Sequence, residues 1–285
     1  MQRLIDLHTH STASDGTMSP RDLVAYAKKK QAAAIALTDH DTIEGLAAAA
    51  RAGIEYHLEV IPGIEISARF PGGNMHILGY LFDPQDKQFS QELKKLQEAR
   101  RQRNPKIIEK LQALGIPITL DQVKTFASGQ MGRPHIAQAL MQLGAVSSFD
   151  EAFQKYLTTG APAYVEKFGL SPEKAISLIN RAGGISVLAH PFTLNCSSLR
   201  ELKDLLQELK DQGLRGLECF FAQHTPEQTR DYLTLAKGMD FLVTGGTDFH
   251  GANNEGVDLL SGHGNLKIPY QIAEDLKKGI KGPRV

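Results

Sequence analysis

Only two cysteines, Cys196 and Cys219, occur among the 285 residues, and they form no CxxC pair. That excludes both a disulfide framework and a thiolate zinc site, so both side chains are expected as buried, reduced thiols. Long apolar runs are missing as well. No stretch approaches the roughly 18 consecutive apolar residues of a membrane helix, and the opening Met1-Gln2-Arg3-Leu4-Ile5-Asp6 is too short an apolar run for a signal peptide. The expected location is the cytoplasm, with no membrane partner. Charge of one sign is not in excess: 32 Lys+Arg balance 32 Asp+Glu. There is thus no global field for stable duplex DNA binding, and any attraction for an anionic substrate must be local. A Walker-type glycine loop for phosphates is also lacking. What remains is the balance of a globular protein, 41% hydrophobic and 22% charged, long enough to bury a large core.

Seven short apolar runs bounded by turn residues read as buried strands: 3–7, 33–38, 58–66, 75–82, 185–189, 216–220 and 241–245. Helices open at Ser19-Pro20, Ser171-Pro172, Ser198 and Thr225-Pro226, each a capping residue, three of them followed by proline. They end near Lys30, Gly183, Gly213 and Gly238. Alternation of strand and helix favours a mostly parallel sheet, and seven strands fit a distorted α/β barrel of the (βα)7, TIM-like kind. Residues 87–160 break the alternation with helical patterns throughout (90–103, 105–114, 120–127, 135–143 and 149–157), so they are expected to form a helical insertion between barrel segments 1–86 and 161–285. Asn104-Pro105 either caps a new helix or interrupts a continuous one. Basic residues outnumber acidic ones from Glu92 to Lys110, which reads either as a guide for a polyanion or as a solvated helix face.

The chemistry-bearing residues sit in or at the ends of these strands. In Asp6-Leu7-His8-Thr9-His10, alternation along an extended chain points His8 and His10 to one side, and Asp15 returns on the loop beyond. His40 follows the second strand, Glu65 lies in the third, His76 in the fourth, His190 follows the fifth, and Asp248 and His250 follow the last. One such residue means little. Nine delivered to one barrel mouth, six of them from the ten histidines, imply a shared metal site, because barrel enzymes gather catalytic groups at strand carboxyl ends. Nitrogen and oxygen donors suit Mn, Zn or Fe, and nine exceed what one ion can use, so two or three divalent ions are expected with Glu65 as a bridge. Clustered ions favour in-line displacement at phosphorus by a metal-bound hydroxide, with amide hydrolysis as a second possibility.

His8-Thr9-His10, Asp15, His40, Glu65, His76, His190 and Asp248-Phe249-His250 match the motifs of the PHP (polymerase and histidinol phosphatase) superfamily position by position, and the chain resembles that superfamily from end to end. The resemblance implies a distorted seven-stranded barrel with a trinuclear Mn, Zn or Fe cluster. It places His8 and His10 with Asp248 on one ion, His76 and His190 on a second, and Asp15, His40 and His250 on a third. Within the superfamily, Asp6 to Thr17, Ala36 to Thr42 and Gly132-Arg133-Pro134-His135-Ile136-Ala137 most resemble the TrpH/YciV branch. Members of that branch remove the 3′-phosphate of nucleoside 3′,5′-bisphosphates and trim short RNA from the 5′ end, so a small nucleotide or an RNA 5′ end is the implied partner.

Arg133 offers a fixed fork of donors for a substrate phosphate, or else a salt bridge joining insertion to barrel. His135 either binds a second phosphate or caps a helix start. Both are the candidate substrate-binding and catalytic residues beside the metal ligands. Asp39 and Asp41 are candidates to hydrogen-bond the ring nitrogens of His40, while His57, His224 and His263 read as surface residues, His224 alone having a chance of facing the site. Two other functions share part of this pattern: a histidinol-phosphate phosphatase with the same ligands, and a nucleic-acid-binding regulator whose metals are structural.

Overall fold

The computed structural model describes residues 3–71, 74–166 and 169–281. Seven strands form one sheet in chain order: β1 (Ile5–Asp6), β2 (Ala34–Leu37), β3 (Glu59–Ala68), β4 (Met75–Tyr80), β5 (Ile185–Leu188), β6 (Gly216–Phe221) and β7 (Leu242–Gly246). Past its ends the sheet curls back on itself. Leu7 N donates to Gly245 O (3.1 Å), Phe249 N to His8 O (3.3 Å) and His10 N to Phe249 O (2.9 Å), which joins the last strand to the first as a nearly closed barrel. Glycine is required at this seam, because a Cβ on Gly246 would lie 2.3 Å from His8 Cβ.

Four neighbouring pairs are parallel, but β4 runs antiparallel to both β3 and β5. The strand–helix alternation predicted no such reversal. Its cause is the short link between Ala68 and Met75, since a parallel crossover needs a dozen or more residues. Alternate residues of the strands face different layers. Ala34, Ala36, Leu78, Tyr80 and Val187 fill the barrel interior; Ile35, Leu37, Ile77 and Leu188 pack outward under the helices.

Those helices are α1 (Pro20–Lys29), α2 (Leu46–Tyr56), α3 (Lys87–Ala113), α4 (Leu120–Lys124), α5 (Arg133–Gln142), α6 (Phe149–Ala152), α7 (Pro172–Arg181), α8 (Leu199–Asp211), α9 (Pro226–Gly238) and α10 (Gln271–Lys281). Ser19, Ser171, Ser198 and Thr225 cap as expected, each side chain accepting from a backbone N–H in the first turn of its helix. The two predicted helices on either side of Asn104-Pro105 are one, with proline inside α3. The first half of α3 buries Phe89, Leu93 and Leu96 in the core of the barrel, and its second half buries Ile107, Ile108 and Leu111 in a separate cluster with Ile118, Ile136 and Leu140. One helix thus packs on both the barrel and the helical cluster that follows it in the chain. The predicted helix over 149–157 is α6 followed by a π turn at Phe153–Leu157. Cys219 is buried, but Cys196 is only half-buried. No helix among the described residues is long and apolar enough to cross a membrane.

Candidate metal centre

All nine candidate ligands converge at one end of the barrel. His8 and His10 leave β1, His40 leaves β2, Glu65 is in β3, His190 leaves β5, and Asp248 and His250 leave β7. His76 lies near the start of β4, and the reversal of that strand brings its start to the mouth where the other strands finish. His190 (φ 26°) and Asp248 (φ 56°) hold left-handed backbone without being glycine, a strain typical of positions where a side chain must be aimed.

Glu65 is the hub. Its Oε1 lies 2.8 Å from His76 Nδ1 and 2.9 Å from His190 Nε2. Its Oε2 lies 2.9 Å from His40 Nδ1 and 3.3 Å from both His8 Nε2 and His10 Nε2. Asp248 Oδ1 faces His10 Nε2 at 3.1 Å and His8 Nε2 at 3.3 Å, and Asp15 faces His250 Nε2 at 3.3 Å and His40 Nε2 at 3.8 Å. Eight of the nine residues supply donor atoms to three groups, each within 4.8 Å: His8, His10, Glu65 and Asp248; His10, Asp15, His40 and His250; and His40, Glu65 and His76, so that His76 groups with His40 and not with the expected His190, which is in none. Glu65 belongs to two of them.

The fit to cations is tested by buried atoms that face one another without a hydrogen bond. His8 Nε2, both nitrogens of His10, His40 Nδ1, Asp15 Oδ1, Glu65 Oε2 and Asp248 Oδ1 are buried and make no hydrogen bond. Buried polar atoms are ordinarily paired, and convergent nitrogen and oxygen lone pairs are what a divalent ion replaces water with. Electrostatics agrees. Burial pushes the imidazole of His10 toward neutrality, but Asp248 and Glu65 override it and carry its pKa up to about 10. Burial likewise opposes charge on Glu65 and Asp248, and the surrounding histidines hold both carboxyls well below their usual range.

Neighbouring groups fix the ring orientations. Glu218, fully buried in β6, accepts from His8 Nδ1 (2.9 Å) and from the His190 backbone N–H (2.7 Å). That leaves His8 Nε2 bare and facing the cluster. His250 Nδ1 donates to Asp248 O (2.8 Å), so its Nε2 is turned to Asp15. Glu218 escaped the sequence reading, and its signal was a lone acid in the apolar run 216–221. Asp39 and Asp41 have different partners from those expected. Asp39 accepts from Ser11 N, Ser11 Oγ and Ser14 Oγ (2.6–2.7 Å), pinning the loop that carries Asp15. Asp41 accepts from Ser67 N (2.8 Å) and from Arg100 Nε (3.0 Å), while the ring nitrogens of His40 face Glu65 and Asp15.

Beside the cluster lies a cavity of about 210 Å³, walled by Asp15, His40 and His76 on one side and by Arg100, Arg103, Arg133, Pro134 and Phe153 on the other. Arg103 is 5% exposed, and its Nε and Nη1 have no hydrogen-bond partner. Burial, with Arg100 and Arg133 adding to it, pulls its pKa down to about 9. Arg133 forms no ion pair among the described residues; it donates from Nη1 to Leu157 O (2.9 Å) and lies 5.5 Å over the Phe153 ring. His135 Nδ1 accepts from Gly132 N (3.0 Å), the capping alternative, and burial lowers its pKa. His57 and His263 are exposed. His224 is buried instead, donating from Nδ1 to Cys219 O (3.0 Å) among the rings of Phe192, Phe221 and Tyr232.

The sequence profile of the PHP domain matches residues 6–112. A 5′-3′ exoribonuclease of Haemophilus influenzae is 37% identical, the match covering 88% of this chain and 91% of that protein. A 3′,5′-nucleoside bisphosphate phosphatase of Chromobacterium violaceum is 32% identical over 90% of each chain. Among solved structures, one from Bifidobacterium adolescentis described as a metal-dependent phosphoesterase superposes with a TM-score of 0.86 at 31% identity, covering 96% of this chain and 95% of its own. Relatives this similar over nearly their whole length, on the same seven-stranded barrel, show that the chain belongs to the PHP-domain family of metal-dependent phosphoesterases.

Proposed function

We propose that the chain hydrolyses a phosphate ester of a nucleotide that carries a second phosphate, such as a nucleoside 3′,5′-bisphosphate or the 5′-phosphorylated end of a short RNA. The observation that carries this reading is the arginine-walled cavity sharing Asp15, His40 and His76 with the metal-ligand cluster. Arg103, buried with unpaired N–H groups, is a guanidinium suited to pairing with a phosphate. A phosphate held there by Arg103 and Arg133 sets a second ester beside the nine ligands, so the arginines select substrates with two phosphates. The names of the two relatives, an exoribonuclease and a bisphosphate phosphatase, fit that selection.

Two or three ions of Mn, Zn or Fe would be held by His8, His10 and Asp248, by His76 and His190, and by Asp15, His40 and His250, with Glu65 bridging. Bound there, such ions supply Lewis acidity to phosphoryl oxygens and acidify an attacking water. The residues of the chain do the rest: Glu218 and the Asp248 carbonyl orient the imidazoles, and the arginine wall fixes the non-reacting phosphate and balances its charge. Two unpaired thiols suit a reducing compartment, the reason we place the reaction in the cytoplasm. A regulator with purely structural metals has no use for an anion cavity opening onto the cluster.

The test is phosphate release from adenosine 3′,5′-bisphosphate, 5′-phosphorylated short RNA and histidinol phosphate, by protein stripped of metal and reloaded with Mn or Zn. Release from the nucleotides that is abolished in His8→Ala, and weakened mainly through KM in Arg103→Met and Arg133→Met, supports the reading. Turnover of histidinol phosphate alone, or KM values unchanged in both arginine variants, overturns it.

A further inference from the structure

The donor group of His10, Asp15, His40 and His250 is carried by loops of the mouth that the insertion touches. Gln130, between α4 and α5, donates from its backbone N to Ala13 O (3.0 Å) and from Nε2 to His40 O (3.4 Å). The approach is close enough to need glycine beside it, because a Cβ on Gly129 would lie 2.5 Å from both Thr12 O and Ala13 O. On α5, Gln138 Nε2 donates to Asn253 Oδ1 (2.5 Å), and Asn253 Nδ2 donates to Asp15 O (2.7 Å).

A backbone carbonyl only accepts, so Asp15 O fixes which way the Asn253 amide is turned. The amide oxygen is left to take a donor, which Gln138 supplies from the insertion. Asn253 also ends the short helical turn Gly251–Asn253 that follows His250. Thr17, two residues beyond Asp15, holds the same turn, its Oγ1 accepting from Ala252 N (2.9 Å). Asp15 and His250, whose side chains meet at 3.3 Å, are thereby tied to each other and, through one amide, to α5. His8 and His190 are held from another side, by Glu218 inside the barrel.

We propose that Asn253, with Gln138 behind it, is a positioning residue for the ion of the Asp15, His40 and His250 group, so that docking of the insertion and loading of this one ion favour each other. Such coupling is reciprocal: if the docked insertion strengthens the ion site, the ion holds the insertion in place. Asp15 and His40 also wall the arginine-lined cavity, so one docking event completes both sites. The inference rests on the metal reading above.

Titration of the metal-free chain with Mn, read by calorimetry and by hydrogen exchange in α5, tests it without substrate. Asn253→Leu keeps the size of the side chain but not its N–H, and should weaken one ion about tenfold or more while the others stay within about twofold. Gln138→Leu should weaken the same ion at least about threefold, and the double variant should bind within about twofold of Asn253→Leu, because one residue acts through the other. In His250→Ala, where that ion has lost a ligand, adding Asn253→Leu should change binding by less than about twofold. Loading should slow exchange in α5 at least about threefold in wild type and less than about twofold in Gln138→Leu. Wild-type affinity for every ion in both single variants overturns the inference and leaves the metal centre standing. Equal weakening of all ions, with a lower melting temperature before loading, also overturns it, since the amides then serve the fold at large. A wild-type chain that takes up no Mn removes the metal centre and the inference together.

Discussion

Glu218→Gln probes whether a residue that touches no candidate ligand atom of the cluster nonetheless governs it. The side chain is fully buried, and its two oxygens serve two donors, His8 Nδ1–H at 2.9 Å and the His190 N–H at 2.7 Å. Glutamine keeps the shape but offers one acceptor. Whichever way the amide is turned, the hydrogen bonds to a charged carboxylate are lost, and its NH₂ either leaves the His190 N–H unpaired or makes His8 Nδ1 an acceptor, with the ring proton moved to the Nε2 that faces the cluster. A hydrogen bond to a charged group is worth about 1.5–3 kcal/mol and an unpaired buried donor costs about 1–3 kcal/mol, so a loss on the order of 3 kcal/mol in unfolding free energy is expected. Because the same contact fixes which nitrogen of His8 is bare, metal affinity should fall about 10- to 100-fold. Urea unfolding of the metal-free chain measures the first quantity and calorimetric titration with Mn or Zn the second. Unfolding within about 0.5 kcal/mol of wild type, with metal affinity within about twofold, would refute the reasoning and show that packing alone orients His8.

The cluster also ties stability to pH. His10 is raised to about 10, and His8, His190 and His250 are raised as well, against about 6.5 for an unfolded imidazole. Groups raised on folding stabilise fully below the unfolded value and lose that contribution as pH climbs through the folded one. The melting temperature of the metal-free chain should therefore fall between about pH 6.5 and 10, while metal affinity rises over the same window because each raised imidazole must shed its proton. A flat melting profile would show that the imidazoles are not paired with the carboxylates. In Gly246→Ala the new Cβ meets His8 Cβ at 2.3 Å and His8 N at 2.4 Å. Loss of about 3 kcal/mol and fewer bound metals per chain are expected, read by thermal unfolding and elemental analysis. Tyr80→Phe strips the donor from Leu7 O (2.8 Å) inside the barrel, which should cost about 1–3 kcal/mol and leave metal stoichiometry unchanged.

The strands and the nine converging side chains were legible because they share one signature: polar, metal-seeking residues at the ends of short apolar runs, where nothing about burial explains them. The reversed direction of β4 was also written in the chain, in a link too short for a helical crossover, although alternation of the surrounding segments masked it. Helix α2 lacked the usual mark, since its first turn has no side-chain cap and follows Gly45. Glu218 was hidden for another reason. Its partner His8 is 210 positions away, and only barrel closure brings the two into register.

Arg100 and Arg103 hold the broader point. Along α3 the buried positions 93, 96, 107, 108 and 111 recur at helical spacing, and 100 and 103 fall on that same stripe. Counted as charge, the segment looks like a solvated basic face, and Arg101, with a side chain 72% exposed, is one. Counted by register, two arginines stand where the helix calls for apolar residues, and one of them ends 5% exposed with donors unpaired. A charge out of place on a helix face is the same physical signal as a charge out of place at a strand end. Here the two signals meet at one mouth, candidate ligands for cations on the barrel and candidate donors for an anion on α3, and the proposed hydrolysis of a phosphate ester is the chemistry that calls for both.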